Sequence, residues 1–141
     1  GVQDCPVSCT GCCTLFSISA STAGNACCDK IVSLINNNSP TITKSGCTWT
    51  GSGEDLSVSE GDCDKSWAIT LSCTGTDWSM TLSFCFNDAT CDDCGEEAES
   101  ESITQANTTD CPPESGWNFD TFFGGTTCDG TISIAVTCAD V

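Results

Sequence analysis

The number and spread of the cysteines constrain this chain more than any other feature. Fifteen of its 141 residues are cysteine, above the roughly 8–10% at which composition indicates a disulfide scaffold. They lie along the whole chain, as Cys5, Cys9, Cys12, Cys13, Cys27, Cys28, Cys47, Cys63, Cys73, Cys85, Cys91, Cys94, Cys111, Cys128 and Cys138. This dispersion predicts a network of disulfide staples in an oxidising, extracellular compartment. The number is odd, so one cysteine stays a free thiol or bonds a neighbouring subunit.

Two CxxC pairs, Cys9–Cys12 and Cys91–Cys94, provide the four thiolates that a structural zinc site needs. They lie far apart in the sequence, and eleven other cysteines would compete for the metal. Neither pair follows a strand and opens a helix, which redox CxxC motifs do. We therefore expect disulfides here, and neither zinc nor thiol redox chemistry.

The charge balance excludes several classes of function. Asp and Glu number 20 against three lysines, with no Arg or His, so the formal net charge is −17. Phosphate backbones and anionic membrane surfaces would repel such a chain, so we expect no nucleic-acid partner. Mechanisms that depend on histidine are excluded as well. No apolar run reaches the roughly 18 residues that span a bilayer, which predicts no membrane insertion. No signal segment is visible either, so we expect a removed signal or release within a particle.

Alternation of apolar and polar residues predicts strands. In 66–73 Trp67, Ile69, Leu71 and Cys73 share one face, and the same period recurs in 78–86. The turn-forming residues 74–77 join them, which predicts a β-hairpin over 66–86. Further strands are predicted at 14–20, 41–50, 117–123 and 131–138.

The segment Ile31–Ile35 is ambiguous, because it fits a strand or one face of a short helix that begins near Asp29; we favour the strand slightly. The whole chain, 1–141, is predicted to be a single Cys-rich all-β domain. Its expected architecture is an antiparallel β-sandwich or barrel-like sheet stapled by multiple disulfides, with little or no helix. Cys73 and Cys138 are in phase with apolar faces, and we expect them to form bonds in the core.

An acidic stretch interrupts this pattern. Residues 88–105 are rich in Asp and Glu and carry no positive residue, which predicts an exposed acidic loop. Its carboxylates Asp92, Asp93, Glu96 and Glu97 are candidate ligands for calcium, which prefers oxygen. No other cofactor is expected.

The tryptophans divide into two pairs. Trp67 and Trp78 are in phase with strand apolar residues, so we expect them in the core. Trp49 and Trp117 lie nearer turns and could form an exposed platform that stacks on sugar rings, although burial explains them equally well.

Catalytic motifs are absent from the sequence. Acidic pairs such as Glu54 and Asp55 could serve a glycosidase, but with 20 acids close pairs are expected by chance. No GxSxG, P-loop or GxGxxG motif occurs. We therefore predict that the chain is not an enzyme. Two glycosylation sequons begin at Asn37 and Asn107.

Several segments together resemble a known group of proteins. They are Cys27-Cys28, the run from Cys47 to Gly51, the run from Trp67 to Cys73, the run from Trp78 to Leu82, Cys111-Pro112-Pro113 and the run from Cys128 to Thr137. In this order they resemble small Cys-rich β-proteins of environmental tailed phages and planctomycete-like bacteria. The resemblance covers roughly residues 5–138 and implies a structural role on a virion or cell surface, without catalytic residues.

Three functions remain as hypotheses. The first is a non-enzymatic structural subunit of an extracellular particle, such as a capsid decoration, a tail fibre or a surface filament. Its partners would be copies of itself or other particle proteins. The second is a secreted carbohydrate-binding or adhesin module that uses Trp49 or Trp117 on surface glycans. The third is a secreted hydrolase or inhibitor.

Overall fold

The computed structural model describes residues 13–23, 26–37, 40–55, 65–74, 76–85, 99–107, 111–119 and 131–139. These residues form eight strands and one helix. In chain order they are β1 (Leu15–Thr22), α1 (Ala26–Asn36), β2 (Thr41–Ser45), β3 (Thr48–Asp55), β4 (Lys65–Cys73), β5 (Asp77–Cys85), β6 (Glu99–Ala106), β7 (Trp117–Phe119) and β8 (Ile132–Cys138).

All eight strands belong to one antiparallel sheet with the order β6-β5-β4-β3-β2-β1-β8-β7. The sheet curls into a nearly closed barrel whose two edge strands, β6 and β7, approach each other. The Gln105 side-chain amide in β6 donates to the carbonyl oxygen of Ser115, two residues before β7, at 3.0 Å. Gly116 (φ 91°) lies against Gln105 so closely that a Cβ there would be 2.8 Å from Oε1. The prediction of a mostly antiparallel β architecture, sandwich or barrel-like, is confirmed in its barrel-like form.

The core lies on the concave side of the sheet, and every buried side chain among the described residues is apolar. Trp49 is at its centre, with ring centroids 5.8 Å from Phe16 and 5.5 Å from Trp78. The indole N–H of Trp49 donates to the Cys13 carbonyl oxygen at 3.1 Å. The Trp78 N–H donates to Asn107 Oδ1 at 3.0 Å. Burial of these large rings, with the indole N–H groups of Trp49 and Trp78 hydrogen-bonded, contributes strongly to the stability of this small sheet.

The predicted hairpin is confirmed, with Cys73 opposite Trp78 and Trp67 opposite Phe84. The predicted strands at 14–20 and 131–138 are confirmed as β1 and β8. The predicted strand 41–50 is instead two strands, because Gly46 (φ 69°) allows a tight two-residue turn. Of the predicted strand 117–123, the structure contains β7, and residues 120–123 lie outside the described ranges.

The preference for a strand at Ile31–Ile35 is wrong, because these residues belong to α1. Among the side chains of α1 that the structure describes, the buried ones are Cys28, Ile31, Leu34 and Ile35, which recur at helical spacing on one face. This face packs against β1, β3 and β4 over the concave side of the sheet. Five consecutive residues could not decide between the two periods, and the contribution of Cys28 to the helical face was not recognised.

The predicted acidic loop over 88–105 is wrong for its last part, because Glu99–Ala106 is strand β6. This segment pairs along its whole length with β5, from Phe84 opposite Glu99 to Asp77 opposite Ala106. A weakly alternating polar segment becomes a strand here because β5 offers a complete ladder of hydrogen-bond partners. Among its described side chains, 101–106, only Ile103 packs against the core, which explains the faint sequence signal.

For one disulfide both cysteines are among the described residues. It joins Cys13 to Cys138, whose Cα atoms are 5.8 Å apart. It joins positions separated by 125 residues and fastens the end of β8 to the residues before β1. Cys138 is exposed and Cys13 is buried. The bond expected for Cys138 is thus present, at the margin of the core rather than within it.

Candidate functional site

Two rows of hydroxyl side chains cross the convex side of the sheet. The strand register places the residues of each row directly opposite one another across five neighbouring strands, β2 to β6. The first row is Thr43, Thr50, Thr70, Thr81 and Ser102, and the second is Ser45, Thr48, Ser72, Ser79 and Thr104. We call these ten residues the hydroxyl face.

The hydroxyl face is a regular grid. Neighbouring strands lie about 4.8 Å apart, and alternate residues along a strand lie about 6.7 Å apart. None of the ten side chains is buried. Thr81 Oγ1 and Ser102 Oγ are hydrogen-bonded to each other at 2.6 Å, so adjacent hydroxyls can satisfy one another across the strands. The face therefore offers donors, acceptors and methyl groups to a partner.

Charge is absent from the hydroxyl face, although the chain carries a formal charge of −17. A third row beside it, formed by Ser52, Ala68 and Ser83, is uncharged too. Within the described parts of β2 to β6, the positions that alternate in phase with these rows are acidic only near the strand ends, at Asp77 in β5 and Glu54 in β3. Burying neutral hydroxyls against another surface costs far less than burying carboxylates. The hydroxyl face is therefore suited to being covered by another protein surface.

The alternation in the sequence explains how the face arises. In β4 and β5 the residues that alternate with the buried apolar side chains are Ser, Thr or Ala; the buried side chains are Trp67, Ile69, Leu71, Met80 and Leu82. Sequence reasoning predicted this outward set for the hairpin. It missed the alignment into rows, because register depends on strand pairing, and it missed Ser102 and Thr104, which it placed in the acidic loop.

The hypothesis of an exposed aromatic platform is wrong. Trp49 and Trp117 are both 0% exposed. The Trp117 indole N–H donates to the Pro113 carbonyl oxygen at 2.9 Å, and the Lys44 ammonium covers Trp49 at 5.4 Å from the ring centroid. Their proximity to turns did not expose them, because both side chains point to the concave side of the sheet. Neither ring presents a face to a sugar.

The cysteine predictions can be followed for six residues. Besides Cys13 and Cys138, the structure has Cys28, Cys47, Cys73 and Cys111 in disulfide-bonded form. The side chains of Cys5, Cys9, Cys12, Cys27, Cys63, Cys85, Cys91, Cys94 and Cys128 lie outside the described residues. Both CxxC pairs are therefore outside them as well.

The calcium candidates Asp92, Asp93, Glu96 and Glu97 lie outside the described residues. Within the parts of the chain that are described, no three His, Cys, Asp or Glu side chains cluster as metal ligands would. In the same residues no helix has the length and apolarity to cross a membrane. The second sequon begins at Asn107, whose amide donates to Cys73 Sγ at 3.5 Å and accepts from Trp78, so this amide is engaged inside the fold.

No protein-family model, curated protein or solved structure matches this chain. The resemblance to Cys-rich β-proteins of phages and bacteria therefore stays a prediction.

Proposed function

We propose that this chain is a non-enzymatic structural subunit of an extracellular particle and that it assembles with copies of itself through the hydroxyl face. The observation that carries the proposal is an uncharged hydroxyl grid across five strands of a chain with a formal charge of −17. The disulfide between Cys13 and Cys138 is compatible with an extracellular location. A wider network of staples, through Cys28, Cys47, Cys73 and Cys111 among others, belongs to the same proposal.

Electrostatics sets the condition for assembly. Free copies repel one another because nearly all their charge has one sign. Salt screens this repulsion, with a Debye length that falls from about 30 Å at 0.01 M to about 8 Å at physiological ionic strength. Contact between neutral faces is affected little by salt. Association should therefore strengthen as ionic strength rises, the opposite of an interface held by ion pairs.

The test measures the mass of the oxidised chain by light scattering and sedimentation velocity, over a range of protein and salt concentrations. We expect concentration-dependent association that increases with salt. The substitution Thr50→Glu places a carboxylate at an exposed position in the grid and should abolish association. Thr50→Val keeps the shape and neutrality of the side chain and should retain most of it.

The matched control is Thr137→Glu. Thr137 is an exposed threonine of β8, opposite Ser17 and outside the hydroxyl face, so this variant adds the same charge elsewhere on the sheet. It should associate nearly as the parent chain does. A parent chain that stays monomeric at every salt and protein concentration would overturn the proposal. Equal effects of the two glutamate variants would place the interface elsewhere.

A further inference from the structure

The outer edge of β6 carries a second recognition feature, made of backbone groups. The Asn107 N–H donates to the Thr76 carbonyl oxygen at 2.9 Å, so Asn107 and Thr76 form a hydrogen-bonded pair in the β5–β6 ladder. In an antiparallel ladder such pairs alternate with pairs whose N–H and C=O groups point away from the partner strand. The register therefore directs the backbone groups of Ser102 and Thr104 away from β5, toward the outer edge.

The outer edge of β6 faces the gap between the two edge strands of the barrel, β6 and β7, which we call the seam. β6 is the last strand in the sheet order, and β7, at the other end, is only three residues long. They approach each other where the Gln105 side chain donates to Ser115, two residues before β7. Among the described residues, no strand pairs with the outer edge of β6. Ser102 and Thr104 thus present backbone donors and acceptors beside the seam, and the Gln105 bridge marks where it ends.

The charges beside this edge determine which kind of incoming strand can pair with it. Glu101 immediately precedes Ser102 in sequence, is partly exposed, and lies opposite Leu82 on the core-facing side of β6. Glu114, close to β7, is exposed. A carboxylate on the inward side of an edge strand is a common defence against pairing with another copy of the same edge. The same carboxylates would attract a strand that carries positive charge.

We propose that the outer edge of β6, at Ser102 and Thr104, accepts an extended segment of another protein that carries Lys or Arg at alternate positions. The segment would add to the sheet as one more strand, with main-chain hydrogen bonds for affinity and the acidic side chains for specificity. This chain has only three lysines, so the partner is a different protein. The edge uses backbone groups and is distinct from the side-chain contacts of the hydroxyl face.

The experiment uses a fluorophore-labelled eight-residue peptide of alternating Lys and Val, added to the intact oxidised chain, with fluorescence anisotropy as the readout. We expect saturable binding that weakens with salt. The same peptide with Glu in place of Lys should bind at least about ten-fold more weakly because like charges meet. A fully N-methylated Lys/Val peptide keeps its charges and has no backbone N–H to donate, so it should not bind.

Variants of the chain locate the site. Thr104→Pro removes the outward N–H and leaves the ladder to β5 intact, since proline is tolerated at sheet edges. It should abolish binding, whereas Thr104→Ala keeps the N–H and should bind as the parent does. Glu101→Gln should weaken binding about three-fold at low salt, the size of one exposed charge pair. Hydrogen exchange at the Ser102 and Thr104 amides should slow when the Lys/Val peptide binds.

Binding of the fully N-methylated peptide as tightly as its parent would overturn the proposal, because it would show charge attraction without strand addition. Unchanged amide exchange at Ser102 and Thr104 would do the same, even if Thr104→Pro fails to fold. The substitution Thr50→Glu should leave peptide binding unaffected. The edge and the hydroxyl face can therefore fail independently.

Discussion

Asn36, the last residue of α1, hydrogen-bonds both backbone groups of Ala20 in β1. Ala20 N–H donates to Asn36 Oδ1 at 2.9 Å, and Asn36 Nδ2 donates to the Ala20 carbonyl oxygen at 2.8 Å. Pairing of β1 with β2 ends at Ser17 opposite Thr41, followed by one bond from Ile18 N–H to the Pro40 carbonyl oxygen. The amide of Asn36 thus continues the hydrogen bonding of β1 where β2 no longer reaches. It also attaches the helix to the sheet.

We expect Asn36→Ala to lower the free energy of unfolding by about 1–3 kcal/mol. The reason is that the backbone N–H and carbonyl groups of the buried Ala20 lose their hydrogen-bond partners. Asn36→Asp should lose a similar amount, since a carboxylate accepts from the Ala20 N–H but cannot donate to its carbonyl oxygen. Urea denaturation followed by tryptophan fluorescence measures both. The exposed neighbour Asn37 provides the control, and Asn37→Ala should change stability by less than about 0.5 kcal/mol. Equal losses at the two positions would contradict the role of Asn36.

The disulfide between Cys13 and Cys138 closes a loop of 125 residues, and a closure of this length restricts the unfolded chain strongly. Replacing both cysteines with alanine should lower the free energy of unfolding by about 2–5 kcal/mol. The double variant leaves no thiol that could exchange with other bonds. Its unfolding in urea without reductant should be compared with that of the oxidised parent. A loss below about 1 kcal/mol would mean that the remaining structure already holds the end of β8 beside the residues before β1.

Strand predictions succeeded where alternation was long and strong. Trp67, Ile69 and Leu71 repeat an apolar residue every second position, and only a strand places them on one face. The strand was preferred to the helix at Ile31–Ile35 because this short apolar run, interrupted by Ser33, fits both periods. β6 was missed because its inward positions include Glu101 and Gln105, and such residues are tolerated there only because the seam beside β7 leaves them partly exposed.

The candidate site was predictable only in part. Alternation predicted that Ser and Thr of the hairpin face outward, but it could not predict that Thr43, Thr50, Thr70 and Thr81 lie in one row. That alignment follows from the strand register, which the turns and the core fix together. Trp49 and Trp117 were ambiguous because closeness to a turn says nothing about which side of a sheet a ring occupies.

Burial of the tryptophans gives a direct test against a sugar-stacking role. Trp49, Trp78 and Trp117 are 0% exposed and Trp67 is 7% exposed. We therefore expect weak quenching of the native emission by acrylamide, strong quenching after unfolding, and no change in emission during titration with mono- and oligosaccharides. A saturable emission shift with any sugar would show that a tryptophan contacts it. That result would restore the carbohydrate-binding hypothesis.

Two glycines near the β2–β3 turn should respond differently to alanine, because different physical constraints hold them. A Cβ at Gly51 would collide with the Thr41 carbonyl oxygen in the backbone of β2, so the two strands would have to separate. We expect Gly51→Ala to lower the free energy of unfolding by at least about 2 kcal/mol. At Gly46 nothing lies within 4 Å, but φ is 69°. Gly46→Ala should therefore cost about 1 kcal/mol, from backbone strain alone.

Substitution of each glycine by asparagine distinguishes backbone strain at Gly46 from steric collision at Gly51. Asparagine tolerates the left-handed conformation better than alanine, so Gly46→Asn should be less destabilising than Gly46→Ala. At Gly51 the larger side chain should instead be more destabilising than alanine, since the obstacle there is the β2 backbone. Thermal unfolding followed by circular dichroism ranks the four variants. The adjacent exposed residue serves as the control, and Ser52→Ala should change stability by less than about 0.5 kcal/mol. If Gly51→Ala were no more destabilising than Gly46→Ala, the close approach of β2 and β3 would not contribute to the stability of this sheet.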